Sequence, residues 1–340
     1  MSPSPARKKR ATVHDVAVRS GVSRGTVSRF VNGEGYVSAA ARQAIEEAIE
    51  AVGYVPNTAA RNLKMQRSQS VGFIVHEPSA LFVGDPNIGE ILLGANAVLS
   101  DADHQMAVLV VDSERDTDRV ARYLAGGFVE GAVVVSARSR DPISRAIERL
   151  ELPSAYVGHP PGAARTASFV VIDNHRAAAD ITGHLRSSGR SRIAMIAAAL
   201  DRDSGADRLA GYTEALGDLF DPDLVEGIKL YSYAGGRDAA ASLLRRRPDV
   251  DAIFAASDAV AAGAIEALRL AGRRVPEDVA VAGFDDSTWA TRALPSLTTV
   301  HQPARELGEV AAQLVLDQLL RDAAPREVEL PSRIVVRDSA

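Results

Sequence analysis

From Thr12 to Gly53 the apolar residues recur at helical spacing. From Ser70 onward they come in short β-rich runs separated by amphipathic stretches. In the first region Val13, Val16 and Ala17 make one stripe, Val27, Phe30 and Val31 a second, and Ile45, Ala48, Ile49 and Val52 a third. Thr12, Ser23 and Ser38 stand where N-caps are needed, and Asp15 is placed to close a capping box on Thr12. Gly21 and Gly53 stand where a helix ends in left-handed backbone, and Val22 anchors the turn between the first two helices. The pattern predicts a compact three-helix headpiece, small for independent stability. In the second region the apolar runs are Val71–Val75, Met106–Val111, Ala132–Val135, Ser154–Val157, Phe169–Ile172, Ile193–Ala197, Ile253–Ala255 and Val279–Phe284. Helical stretches lie between them, such as Ile88–Leu99, Ala177–Leu185, Asp207–Leu216, Ala259–Leu270 and Arg305–Leu320. Short apolar strands between amphipathic helices predict parallel sheets covered on both faces, and there are too many strands for one small sheet. The body is therefore expected to be α/β, with two doubly wound lobes. The chain passes to the second set of strands near residues 160–170, and a cleft lies at the C-terminal strand ends, where small ligands bind.

The exposed face of the second headpiece helix holds Arg24, Gly25, Thr26, Ser28, Arg29 and Asn32, and no acid. Long cations among small polar groups suit a helix laid in a DNA major groove, with side chains on base edges and phosphates. A small solvated helical hairpin has the same pattern, and spacing alone does not separate the two.

Charge changes that picture. Residues 1–67 hold eleven Lys and Arg against five acids, a net of +6; the whole chain carries −5, so residues 68–340 carry −11. A basic head on an acidic body implies that only the head meets a polyanion. Met1 to Arg10 is Pro/Ser-rich and ends in Arg-Lys-Lys-Arg. It reads as a disordered basic arm that adds non-specific phosphate attraction, or as a tail with no part in binding. Hydrophobic content of 46% and charged content of 24% are those of a globular protein. No apolar run approaches the ~18 residues of a membrane span, and no apolar signal core follows the basic N-terminus, so a cytoplasmic location is expected. The absence of cysteine excludes disulfides, thiolate zinc sites and cysteine nucleophiles. The seven histidines are scattered, with no pair at metal-ligand spacing, so neither a metal nor another cofactor is expected. No Gly-x-Ser-x-Gly, P-loop or His-Glu-x-x-His pattern points to an enzyme.

The run Thr12-Val-His-Asp-Val-Ala, then Gly21-Val-Ser, Thr26-Val-Ser-Arg, Asn32, Val37-Ser, Arg42 and Gly53-Tyr-Val-Pro-Asn, resembles the headpiece of the LacI/GalR family of transcription regulators. The match continues at family spacing to the C-terminus. The resemblance implies a helix-turn-helix DNA-binding domain over 12–56, after a basic arm over 1–11. It also implies a hinge helix and linker over 57–69 and an effector-binding and dimerisation body over 70–340. That body would have the periplasmic-binding-protein-like fold, with an N-lobe at about 70–163 and a C-lobe at about 164–340, the chain crossing back near its end. Contacts to a pseudo-palindromic operator are implied for Thr12, His14, Ser23, Arg24, Gly25, Thr26, Ser28, Arg29, Asn32, Tyr36 and Tyr54. In the hinge they are implied for Asn57, Ala60 and Leu63, with Leu63 at the position of a leucine pushed into the minor groove. Physics alone says that an eight-residue helix is marginal in water, and that an apolar wedge between base steps bends the duplex onto more protein.

The same resemblance implies an effector site. In Ser204-Gly-Ala-Asp-Arg208-Leu-Ala-Gly-Tyr, Arg208 matches the family's effector arginine, expected on the first turn of a helix. Its planar fork suits hydroxyls or carboxylates. Asp285, in Gly-Phe-Asp-Asp, can accept from two vicinal hydroxyls. Ser204, Ser257, Asp258, Gln302, Asp85 and Asn87 complete the expected set, although relatives often have Asn where Ser257 stands. Trp289, the only tryptophan, is open to two readings, stacking on a pyranose ring or packing. The expected function is a ligand-controlled, sequence-specific transcription regulator, a homodimeric repressor with a sugar effector. A nucleobase or sugar phosphate is the alternative effector, and a transport-type solute-binding protein the alternative class.

Overall fold

The computed structural model describes residues 11–55, 68–138, 141–160, 162 and 167–340. They fall into two compact units that divide between Ser68 and Gln69. In the first unit, α1 (Val13–Ser20), α2 (Arg24–Asn32) and α3 (Ala39–Val52) begin at Thr12, Ser23 and Ser38. The side chains of these three residues accept the N–H groups of Asp15, Thr26 and Ala41, and Thr12 and Asp15 close the expected reciprocal box. Each helix ends on a glycine with positive φ: Gly21, Gly33 and Gly53. Val16, Val27, Ile45 and Ala48, one or two from each helix, meet in a core of their own. The basic arm up to Arg10 and the hinge positions Asn57, Ala60 and Leu63 lie outside the described residues.

The second unit alternates strands and helices. Its strands are β1 (Ser70–Val75), β2 (Gln105–Val110), β3 (Gly131–Val135), β4 (Ser154–Val157), β5 (Ser168–Val171), β6 (Ile193–Ala198), β7 (Val225–Ile228), β8 (Ala252–Ala255), β9 (Ala280–Asp285), β10 (Thr298–His301), β11 (Glu327–Glu329) and β12 (Arg333–Val335). Its helices are α4 (Ser79–Gly84), α5 (Pro86–Asp101), α6 (Glu114–Ala125), α7 (Pro142–Arg149), α8 (Asn174–Ser187), α9 (Asp203–Leu216), α10 (Tyr233–Arg246), α11 (Asp258–Leu270), α12 (Thr288–Arg292) and α13 (Ala304–Arg321). One sheet runs β11-β5-β4-β3-β1-β2 and is parallel throughout. The other runs β12-β10-β9-β8-β6-β7, parallel except for β12, which lies antiparallel on β10. The inner strands β3, β6, β8 and β9 are buried along their whole length, as strands covered on both faces must be.

The expected lobe boundary is corrected. Strand β5, assigned by the sequence reading to the second lobe, pairs with β4 in the first sheet, with Ala155 opposite Ser168. The chain therefore leaves the first lobe after Val171, not near 160–170. The reason is that β4 and β5 follow one another with no predicted helix between them, and an apolar run carries no mark of the sheet it joins. The chain crosses again between His301 and Ala304, when α13 packs on α5 and the first sheet, and a third time between Glu329 and Arg333. Among the described residues no helix is long and apolar enough to cross a membrane.

Candidate functional site

In the headpiece, α2 presents a polar face stiffened by local bonds. Ser23 Oγ meets Thr26 Oγ1 at 2.9 Å, Arg29 reaches back to Gly25 O and Thr26 Oγ1 at 3.4 Å each, and Asn32 donates to Ser28 Oγ at 3.3 Å. Arg24, His14 and Tyr36 are exposed. At Gly25 an added Cβ would meet only Ser23 Oγ, at 3.8 Å, so nothing inside the headpiece excludes a side chain there.

In the second unit a cleft of about 830 Å³, open to solvent, lies at the C-terminal strand ends. Glu77 comes from just beyond β1, Asp85 and Asn87 from the start of α5, and Asp285 from the last position of β9. Gln302 lies on a crossing segment, Tyr231 follows β7, and Arg202, Asp203, Ser204 and Arg208 line the opposite wall from the start of α9. That start is pressed against the end of β6: a Cβ on Gly205 would lie 2.4 Å from Ala198 O, so glycine is required for the approach.

Arg208 is fixed in place. Its Nε donates to Asn174 Oδ1 at 2.9 Å and its Nη1 to Ala256 O at 2.6 Å, and Nη1 lies 3.6 Å from Asp285 Oδ1. The guanidinium sits 3.5 Å from the Phe284 ring centroid and 5.7 Å from that of Tyr231. Asp285 adopts φ 112°, a strained conformation for a residue with a side chain, and accepts from Gln302 Nε2 at 2.9 Å. Burial pushes its pKa well above the usual carboxylate value; Arg208 pulls it down, and Asp258 and Asp85 push it up again. Burial raises Asp85 to about 6, against the backbone bond from Asn87. Across the cleft Glu77 and Arg202 form a buried ion pair between the lobes. Even so, Glu77 Oε2 and Arg202 Nε and Nη2 find no hydrogen-bond partner among the described residues.

Residues 12–57 match the family model described as bacterial regulatory proteins, lacI family, and residues 182–340 match a periplasmic binding protein-like domain. The chain is 40% identical over 338 residues to the HTH-type transcriptional regulator CelR of Thermobifida fusca, covering 98% of this chain and 99% of the relative. This chain belongs to the lacI family of bacterial regulatory proteins. Among solved structures, a CelR–cellobiose complex matches with TM-score 0.78 at 38% identity, over 97% of this chain and 100% of that one. The lac repressor dimer bound to operator and the anti-inducer ONPF matches with TM-score 0.84 at 25% identity, over 97% and 99%. These lacI-family relatives are named as transcriptional regulators and repressors, not enzymes.

Of the effector residues expected from the lacI-family resemblance, the fold gathers Asp85, Asn87, Ser204, Arg208, Asp285 and Gln302 in one cleft. Two expectations, Asp258 and Ser257, are corrected, and Trp289 takes the second of its two readings, packing. Asp258 is sealed below the surface, where it accepts from Thr299 Oγ1 at 2.6 Å and from the Ser287 N–H at 2.7 Å, so it ties down the segment that follows Asp285. Burial raises its pKa to about 7. Ser257 caps α11 through the Val260 N–H. Trp289 stacks on Tyr233, with centroids 5.5 Å apart, and like Ser257 lines a smaller adjoining pocket rather than the main cleft. In the headpiece Tyr54, expected on the DNA face, is 8% exposed and belongs to the core. Helix α9 begins at Asp203, a turn earlier than expected, because Ser204 and Gly205 carry no apolar signal; Arg208 is thus on its second turn. Glu77, Arg202 and Tyr231 were missed. Glu77 was detectable in principle, since it lies just past a parallel strand, where such folds place ligand contacts.

Proposed function

We propose that this protein is a sequence-specific transcriptional repressor, cytoplasmic and homodimeric, released from or retained on its operator by a neutral sugar bound in the cleft. The sugar reading rests on the unpartnered buried atoms of Glu77 and Arg202. A hydroxyl is both donor and acceptor, so a polyhydroxylated ring satisfies the orphan oxygen and the orphan N–H groups together. Charge favours a neutral ligand over a sugar phosphate. Four acids, Glu77, Asp85, Asp203 and Asp285, face two arginines, Arg202 and Arg208, which leaves no surplus cation for a phosphate. Arg208, Asp285, Asn87, Asp85, Ser204 and Gln302 hold hydroxyls, and Tyr231 offers an apolar ring face. CelR, a relative along the whole chain, has a solved complex with cellobiose, which supports the same class.

At the other end, Arg24 makes a bidentate contact to guanine, while Thr26, Ser28, Arg29 and Asn32 read or clamp neighbouring positions. Two copies place their recognition helices on the two half-sites of a pseudo-palindrome. Sugar binding closes the cleft and shifts the population able to hold both half-sites. The test is an operator fragment selected from random sequence, titrated with the full chain in the presence of cellobiose, glucose, ribose, hypoxanthine or glucose 6-phosphate. One neutral sugar should change operator affinity by the roughly 5- to 150-fold that allosteric couplings supply. An effect from the phosphosugar or the purine alone would overturn the sugar assignment.

A further inference from the structure

We propose that His159, Asp203 and Asp207 form a site for a divalent transition-metal ion of the Zn²⁺ or Ni²⁺ kind, bridging the two lobes at the rim of the cleft. His159 lies just after β4 in the first lobe; Asp203 and Asp207 lie on α9 in the second. The i, i+4 spacing puts both carboxylates on one helix face. One ligating atom from each of the three residues lies within 4.8 Å of the others. A tetrahedral ion with ligand distances of about 2.0–2.2 Å separates its donors by roughly 3.3–3.6 Å, so small side-chain rotations complete the tripod.

The internal contacts do not use up the cluster's capacity. Asp203 Oδ2 accepts the backbone N–H of His159 at 2.7 Å and faces its Nδ1 at 2.8 Å, which brings the imidazole to the helix. Asp207 has no hydrogen-bond or ion-pair partner among the described residues, and it stands one turn from a second carboxylate that repels it. A dication neutralises both acids and replaces that repulsion with two bonds. The imidazole makes the site borderline-soft, which selects first-row transition ions over Mg²⁺ and Ca²⁺. With His159 46% exposed, the ion has an open approach, and water fills its remaining positions. Bound there, it joins the lobes at the edge of the cleft: His159 and Asp203 line the cleft, and Asp207 stands outside it.

The experiment is calorimetric titration of the EDTA-stripped, full-length protein with ZnCl₂, repeated with MgCl₂ and with His159→Gln and Asp207→Asn. The expected result is one saturable Zn²⁺ site per chain, a melting temperature raised by Zn²⁺ but not by Mg²⁺, and affinity lowered in each variant. The loss should be at least on the order of the 10- to 100-fold that even supporting groups of metal sites are worth. Melting temperatures of the metal-free variants, compared with the parent, establish that they are folded. His159 is exposed on a loop, so its variant carries the test if Asp207→Asn disturbs α9. Absence of saturable Zn²⁺ binding, or Zn²⁺ affinity unchanged in a folded variant of either residue, overturns the site.

Discussion

Arg208→Ala isolates the part of the cleft on which the proposed sensing depends. The arginine has two buried acceptors, Asn174 Oδ1 and Ala256 O, and one counter-charge, Asp285. Truncation leaves the two acceptors without their donor, at about 1–3 kcal/mol each if water does not enter. It also removes the cation that pulls the Asp285 pKa down, so this carboxyl, already raised by burial, takes up a proton more readily. Removing one partner of a buried pair costs about 3–5 kcal/mol in comparable cases, and the two estimates overlap rather than add. At roughly 2–4 °C per kcal/mol for a domain of this size, the apo melting temperature should fall by about 6–20 °C. Affinity for a sugar should drop by about 10- to 150-fold, since the variant loses a charge-assisted bond worth roughly 1.5–3 kcal/mol and biases the facing acceptor toward its neutral form. Thermal-shift titration with cellobiose, ribose and glucose reads both effects on one sample. A sugar whose stabilising shift survives in Arg208→Ala would show that the guanidinium does not touch the ligand. An unchanged apo melting temperature would show that its bonds are exchanged for water at no cost.

Asp85 should make stability depend on pH. A carboxyl raised from 3.8 to about 6 by burial holds its proton more tightly in the fold than in the unfolded chain. Its contribution is complete below 3.8 and is lost as pH rises through about 6. Asp85→Asn, which mimics the protonated acid and still caps α5, should match the parent near pH 4 and exceed it at pH 7–8. The full difference is about 3 kcal/mol, reduced by partial exposure to about 1–2 kcal/mol. A constant offset in denaturant midpoints from pH 4 to 8 would contradict this. Gly308→Ala should destabilise the second unit by about 3 kcal/mol or more in scanning calorimetry, because its Cβ would lie 2.0 Å from Ile91 O where α13 crosses α5; an unchanged transition would mean that the helices part freely. Arg24→Ala should cost about 1–3 kcal/mol on the selected operator and relax one base preference, with little loss on random DNA. An equal loss on both would reduce Arg24 to a phosphate contact.

Much of this protein is written locally in its sequence. The caps Thr12, Ser23 and Ser38, the terminal Gly21 and Gly53, and the apolar stripes each act within a turn or two of where they stand, so the headpiece was legible. The same holds for the alternation of apolar strands and amphipathic helices, and for Arg208 and Asp285 in their motif runs. Asp258 and Tyr54 were misassigned because a motif position does not say whether a side chain faces the cleft or the interior; Thr299 and Ser287 hold the first, and the headpiece core holds the second.

What only the tertiary structure decided are contacts between residues far apart in the chain, for which no local rule exists. Glu77 and Arg202 are 125 residues apart and meet because β1 and the start of α9 end on opposite walls of one cleft. His159 and Asp203, 44 residues apart, meet because the end of β4 in the first lobe and the start of α9 in the second face each other across the cleft. Gly94 and Gly308 read as weak points in two helices until α5 and α13 are packed, when each turns out to be the place where the other backbone passes. Periodicity reports which face of an element is buried. Which element lies against that face depends on the order of strands in the sheets, which is fixed by the packing of the whole chain.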